Sequence, residues 1–254
     1  MLNIATAGTP RAGLIVTAIG SLALSACASA RTSADVDSLS ATQIEAAIST
    51  AHAKYRGLQE GANADYIPAL AKVDPNLYGI ALVTTDGEIY TAGDIATEVS
   101  IQSISKVFTM ALVMEESGVD AIANNMGVDA TGQVFNSIVA IEQYKGEQMN
   151  AMVNPGAITA TSMVKGSSYD EIWGKILGTY SDFAGRKLSV LEDVYESEAA
   201  TNQRNQAIGQ LMYAYGRIDK DPDQATDIYT RQCSVGVNAK DLAIMAATLA
   251  NGGT

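Results

Sequence analysis

The chain has 254 residues, 47% of them hydrophobic, with 28 acidic against 16 basic side chains and a net charge of −12 at neutral pH. That balance excludes a surface built to neutralise nucleic-acid phosphates, and it excludes adhesion to anionic lipid through basic patches. One histidine and two cysteines leave almost no ligands for a zinc site, so neither a metal nor another cofactor is expected.

Residues 1–26 read as an export signal. Arg11 precedes a 13-residue apolar run, Ala12 to Leu24, too short for a stable membrane span but right for a signal core. The run ends in Leu24-Ser25-Ala26-Cys27, which is similar to a bacterial lipobox, with cleavage before Cys27 and lipidation of its thiol. Ala28-Ser29-Ala30 also fits ordinary signal cleavage. On the lipobox reading the protein is an exported, periplasmic or cell-envelope lipoprotein that meets the membrane only through its acyl anchor. Cys233 is then the one remaining thiol, which bars an internal disulfide and reads as a small buried apolar residue. Removing residues 1–26 leaves 228 residues with 15 basic and 28 acidic side chains. Residues 27–38, rich in Ser, Ala and Asp, read as a tether, and residues 39–254 as one large domain.

In that domain, Ser40-x-x-Gln43 is a capping-box pattern, and Ile44, Ile48, Ala51, Tyr55 and Leu58 recur at helical spacing. His52 lies off that stripe and reads as solvated. Tyr78 to Thr84 reads as an apolar strand, Asp86-Gly87 as a hairpin turn and Glu88 to Ala92 as the returning strand. From Ser103 on, the strong patterns are helical. Ser103 to Ser117 stops at Gly118, a C-cap glycine. Ser168-x-x-Glu171 opens a helix with Ile172, Trp173, Ile176, Leu177 and Tyr180. Residues 203–216 carry Ile208, Leu211, Met212 and Tyr215, and Asn238 to Ala250 carries Leu242, Met245, Ala246 and Leu249. Asp219-Lys-Asp221-Pro-Asp223 looks like the opening of a calcium loop. Gln224 stands where glycine is required and Thr230 where glutamate is required, so it reads as an acidic helix–helix connection.

The most informative segment is Ile101-Gln102-Ser103-Ile104-Ser105-Lys106-Val107-Phe108. Positions three apart share a helix face, so Ser103 and Lys106 can point at one spot. Among Val107, Phe108, Ala111 and Leu112 a lysine is poorly solvated, which favours its neutral form. A neutral amine beside a hydroxyl is a base next to a nucleophile, the chemistry of acyl transfer without histidine. Ser162-Met163-Val164-Lys165 has the same spacing, so spacing alone does not choose between them.

From about Tyr66 onward the chain resembles the serine-dependent glutaminases of the β-lactamase/transpeptidase-like superfamily. The resemblance is carried, in order, by several blocks. They are Tyr66-Ile67-Pro68-Ala69-Leu70, Gln102-Ser103-Ile104-Ser105-Lys106, Gly132-Gln-Val-Phe135-Asn136-Ser137 and Met152-Val153-Asn154-Pro155-Gly156-Ala157-Ile158. Arg204-Asn205-x-Ala207-Ile208-Gly209 and Met245-Ala246-Ala247-Thr248-Leu249-Ala250-Asn251-Gly252-Gly253 follow. Pro155 departs from the family's usual alanine. The resemblance implies an α+β fold, with an α-helical subdomain and an αβ subdomain. It implies hydrolysis of L-glutamine to L-glutamate and ammonia through a serine acyl-enzyme. Ser103 would be the nucleophile and one oxyanion donor, and Lys106 its base. Glu198 would pair with the substrate α-ammonium, Asn205 and Tyr229 would hold its α-carboxylate, and Tyr66 and Asn154 would complete the pocket. By local sequence alone, Tyr66 and Tyr229 read as core aromatics, Glu198 as part of a solvated face, and Asn154 and Asn205 as caps or turns. The resemblance also suggests a homo-oligomer.

Members of that family continue for several dozen residues past the Asn-Gly-Gly, with a catalytic tyrosine, a Lys-Ser-Gly-type strand and a second oxyanion N–H. No Lys-[Ser/Thr]-Gly occurs in this chain. It therefore reads as C-terminally truncated, with an incomplete antiparallel sheet of which only the N-terminal hairpin is present, and residues 27–254 are expected to fold poorly and to be inactive. Two readings follow: an exported glutaminase, or an inactive remnant, lipid-anchored and at most a weak binder of glutamine. A penicillin-interacting relative is disfavoured, since no Ser-x-Asn or Tyr-x-Asn box follows Lys106.

Overall fold

The first helix begins where its capping box predicts. The computed structural model of the protein describes residues 39–254, so the expected export signal, Cys27 and the expected tether fall outside the described residues. Ser40 Oγ accepts from the Gln43 N–H at 3.3 Å, Gln43 Oε1 accepts from the Ser40 N–H at 2.8 Å, and α1 runs Ala41–Tyr55. Ile48 is its buried stripe residue, while Leu58 lies past the helix end and stays exposed. His52 is not simply solvated. Half-buried, it stacks on Tyr78 with ring centroids 5.1 Å apart and places Nε2 3.2 Å from the Tyr78 carbonyl oxygen. Gly93 makes room for it, since a side chain there would strike the imidazole.

The short α2 (Pro68–Ala71) leads to the hairpin of β1 (Gly79–Val83) and β2 (Ile89–Gly93), antiparallel with Leu82 opposite Tyr90. The turn uses Gly87 at φ +91, a conformation glycine adopts freely. β3 (Val99–Ser100) runs into a 3₁₀ turn, Gln102–Ile104, and then α3 (Ser105–Ser117). The helices α4 (Val119–Asn125), α5 (Ile138–Tyr144), α6 (Asn154–Met163) and α7 (Tyr169–Ala184) follow. Next come α8 (Glu192–Ala199), α9 (Gln203–Ala214) and α10 (Pro222–Cys233), the last capped by Asp221 of the acidic connection. β4 (Gly236–Val237) pairs antiparallel with β3, and α11 (Ala239–Ala250) closes the described chain. Two-residue strands carry no readable alternation, which is why β3 and β4 escape a periodicity analysis. Among the described residues, α1 packs on β2 and α11 on β1, so the hairpin is the centre of the αβ part of an α+β fold.

The apolar residues form two cores. One gathers Phe108, Leu112 and Val113 of α3 with Ile172, Ile176 and Tyr180 of α7, and with Val235, Val237 and Met245. The other gathers Ile141, Ala157, Ile158, Ile208 and Met212 with Ala225, Tyr229 and Cys233. α10 contributes to both, Ile228 to the first and Tyr229 to the second.

α6 is buried from Asn154 to Ser162. Its departure from the usual alanine, Pro155, falls in the first helical turn, where a missing N–H costs no intrahelical bond. Gly156 lies against backbone, and a methyl group there would meet the carbonyl oxygens of Met149 and Asn150. Gly156→Ala should therefore destabilise the protein by about 1–3 kcal/mol, as overpacking against rigid backbone does, read as a drop in denaturation midpoint. An unchanged midpoint would show that the 149–150 segment yields freely.

Candidate active site

Ser103 sits at a bend with an unusual backbone. Ile101 N–H donates to the Val235 carbonyl at 2.8 Å, continuing the β3–β4 pairing, and the next residue, Gln102, is left-handed at φ +49. A non-glycine residue in that region costs of order 1–3 kcal/mol and persists only where its surroundings demand it. The Gln102 amide is tied at both sides, donating to Ser100 Oγ at 3.1 Å and to Glu198 Oε2 at 3.4 Å. The bend ends the strand and leaves Ser103 exposed in the 3₁₀ turn, not within the α-helix itself.

Lys106, one turn on, points inward and is 3% exposed. Its Nζ donates to Asn154 Oδ1 at 2.7 Å and to the Met152 carbonyl at 3.2 Å. The rings of Phe135 and Tyr229 stand 5.8 and 6.0 Å from it. Burial holds its proton affinity below that of an ordinary lysine. Among the described residues no hydrogen bond joins Lys106 to Ser103; Tyr229, which lines the cavity with Ser103, donates its hydroxyl proton to Asn154 Oδ1 at 3.2 Å. Burial, more than the nearby Cys233, keeps that phenol neutral well above its usual range. Asn154 Nδ2 in turn donates to Asn205 Oδ1 at 3.0 Å. One asparagine thus links the lysine, the tyrosine and the second asparagine.

Ser103, Tyr66, Asn154, Glu198, Asn205 and Tyr229 line one cavity of about 290 Å³, and Lys106 lies beside it through its bond to Asn154. Tyr66, 66% exposed, stands at the rim and is not a core aromatic. Glu198 does not lie on a solvated face: it is 6% exposed, and among the described residues it forms no ion pair. Burial raises its carboxyl to about 7, only partly offset by the Gln102 amide. α8, which carries it, is held by Tyr195. The Tyr195 and Tyr169 hydroxyls both donate to Asp227, at 2.7 and 2.6 Å, and the Arg231 guanidinium lies 4.5 Å from the Tyr195 ring. The cavity also takes in Gln102, Phe135, Arg204 and Cys233, none of which sequence reasoning placed there. Position beside Ser103 was the one available signal for Gln102. The decoy Ser162 is buried on α6 and donates to the Thr159 carbonyl at 2.6 Å, while Lys165 lies beyond the helix end and reaches the Glu116 carbonyl.

An exposed serine and a buried carboxyl in one pocket, with a desolvated lysine beside it, form a candidate hydrolase site on an α+β frame. Comparison narrows the class. The family model for glutaminase matches residues 61–254. A glutaminase of Colwellia psychrerythraea is 50% identical over 210 residues, covering 83% of this chain and 68% of the relative. Among solved structures, the probable glutaminase ybaS superposes with a TM-score of 0.83 at 40% identity, covering 85% of this chain and 70% of that one. Mglu in its glutamate form gives 0.74 at 33% identity, covering 82% and 48%. The chain belongs to the glutaminase family, whose fold is β-lactamase-like.

Glu198 makes a stability prediction that needs no ligand. A carboxyl raised to about 7 in the folded protein, against 4.5 for an ordinary glutamate, stabilises the fold while protonated. That stabilisation is lost as pH rises from the unfolded value through the folded one. Glu198→Gln should therefore gain roughly 2–3 kcal/mol relative to the unmutated protein on going from pH 5 to pH 8, measured by chemical denaturation. Parallel pH dependences in the two proteins would show that Glu198 titrates normally.

Proposed function

We propose that this protein hydrolyses L-glutamine to L-glutamate and ammonia through an acyl-enzyme on Ser103. The observation that carries the reading is a buried carboxyl without an ion pair in the same pocket as Ser103 and several neutral polar side chains. Glu198 is a buried carboxylate lacking a cation, fitted to an α-ammonium. Asn205, with Tyr66 at the rim, supplies neutral polar groups for an α-carboxylate. A zwitterionic amino acid satisfies both, and a ligand lacking the ammonium leaves the buried Glu198 unpaired. The side-chain amide carbon then falls to Ser103. Its Oγ–C bond forms as the C–N bond breaks, Lys106 takes the serine proton and returns it to the leaving nitrogen, and water hydrolyses the glutamyl ester. Tyr229, kept neutral, lines the cavity with Ser103 and holds Asn154. Against the remnant reading, Ser103 and Glu198 line one formed pocket and Lys106 lies beside it through its bond to Asn154.

The test combines turnover with a covalent probe. A diazoketone analogue of glutamine should alkylate the full chain once, with loss of dinitrogen, and peptide mapping should place the label on Ser103. Ser103→Ala should abolish both labelling and ammonia release, Lys106→Ala should lower turnover by several orders of magnitude, and Ser162→Ala should change neither. A label on another residue, or equal losses from the two serine substitutions, would reject Ser103.

We further propose that residues 1–26 direct export, that Cys27 is the lipidated residue, that residues 27–38 tether the domain, and that the protein works as a homo-oligomer at the cell envelope. The apolar run and the Leu-Ser-Ala-Cys pattern support export, lipidation and the tether, and the family resemblance supports the homo-oligomer. Expressed in a diderm bacterium, the full chain should incorporate labelled fatty acid, and Cys27→Ser should not. Unlabelled, soluble product from the unmutated chain would favour ordinary cleavage near Ala30.

A further inference from the structure

Gln232 lies on α10, 0% exposed, between α3 and α6. As placed, its amide oxygen Oε1 is 3.1 Å from Thr109 Oγ1 and 3.2 Å from Thr161 Oγ1, and its Nε2 has no hydrogen-bond partner among the described residues, although the two amide ends are nearly indistinguishable in shape. Counting protons decides which end is which. Each threonine hydroxyl has a single proton. Thr161 Oγ1 is 2.9 Å from the Ala157 carbonyl, which can only accept, so its proton goes there. The Tyr180 hydroxyl is 2.8 Å from the Ser105 carbonyl and gives its proton to it. Thr109 Oγ1, 2.6 Å from the Tyr180 hydroxyl oxygen, must therefore donate to Tyr180. Both threonines then face Gln232 with lone pairs only. An amide oxygen between them would be repelled twice and would strand two buried N–H protons. An amide nitrogen gives one proton to each threonine and leaves only a carbonyl unpaired, the less costly orphan.

We propose that Gln232 is a positioning residue at the root of a one-way hydrogen-bond spine. One branch runs from its N–H through the Thr109 and Tyr180 hydroxyls to the Ser105 carbonyl, two residues after Ser103 and one before Lys106. The other runs through Thr161 to the Ala157 carbonyl on α6, the helix that presents Asn154. Gln232 itself follows Tyr229 by three residues on α10. The spine ties the nucleophile's turn, the partner of the lysine and the tyrosine to one root without touching substrate. The inference rests on Ser103 being the nucleophile. Its expected signature is a loss of attack geometry with binding intact, because small displacements of reacting groups are expensive where the ground-state contacts are not.

The experiment uses full-chain Gln232→Glu, Gln232→Met, Thr109→Val and Thr109→Ser. Gln232→Glu keeps the shape but cannot donate to both threonines. Gln232→Glu and Thr109→Val should lower kcat for glutamine about 10- to 100-fold with KM within about twofold. Amide hydrogen exchange over residues 103–109, measured without substrate, should quicken about 10-fold in both variants while the β1–β2 hairpin stays unchanged. Thr109→Ser, which keeps the hydroxyl, should behave like the unmutated protein. If Gln232→Met fails to fold, the two Thr109 variants still decide. Gln232→Glu indistinguishable from the unmutated protein would overturn the spine, as would parallel changes in kcat, KM and hairpin exchange. Exchange decides even if the unmutated chain does not turn over glutamine, an outcome that would remove the functional reading alone.

Discussion

The pocket depends on one buried amine. Lys106 lies in the apolar body of α3, under a Phe135 ring that is itself half out in solvent. Taking an ammonium out of water costs several kcal/mol, and the protein can lower that cost by pairing the charge or by letting the amine go neutral. No carboxylate pairs with it among the described residues. Its partners are an asparagine oxygen and a backbone carbonyl, which orient the nitrogen without fully restoring its hydration. The amine is therefore held in place, and burial lowers its proton affinity below that of an ordinary lysine. Asn154 supplies most of the orientation, which explains why the helix that begins with it is the most completely buried in the domain.

The companion constraint is that Glu198 must not reach Lys106. A carboxylate and an amine beside one cavity would ordinarily pair, yet among the described residues no ion pair joins them. The Gln102 amide engages Glu198 Oε2 at 3.4 Å, from a residue whose backbone turns through the left-handed region. The strain at Gln102 thus has two effects, ending β3 so that Ser103 projects into the cavity and aiming an amide at Glu198. A carboxyl raised to about 7 and an amine lowered from its usual range are the electrostatic marks of two charges each denied its partner.

Much of this was legible in the residue order, and the gaps have physical causes. The capping boxes and turn glycines located α1, the hairpin, α7 and α11 to within a residue or two, because those signals are local. Ser103 and Lys106 were legible as a pair, but their lack of direct contact was not, since Tyr229 comes from far along the chain. Glu198 read as solvated because its neighbours Glu192, Asp193 and Glu196 are charged; its burial is decided by Tyr195 and Arg231 anchoring the other side of α8. The helices α4, α5, α6 and α8 were too short or too uniformly buried to show an apolar stripe.

α10 escaped for a different reason, and that reason bears on how the site is assembled. It is among the most buried helices yet carries Thr226, Thr230 and Gln232, so hydrophobic periodicity does not find it. Burying such a helix between two cores requires that its hydroxyls be satisfied without water. Thr226 donates to the Pro222 carbonyl and Thr230 to the Thr226 carbonyl, at 2.8 and 2.9 Å, each closing on its own preceding turn. With those protons spent internally, Gln232 is left as the residue whose donors must be met by neighbouring helices. A leucine at 232 would fill the space, but it could not tell α3 and α6 where to stop sliding. Dispersion is nearly indifferent to small slips, whereas hydrogen bonds weaken steeply once their angles fall away from linear. A polar helix at the centre of an apolar domain is therefore the element best able to fix, to a fraction of an ångström, how a serine, a lysine and an asparagine from separate segments face one another.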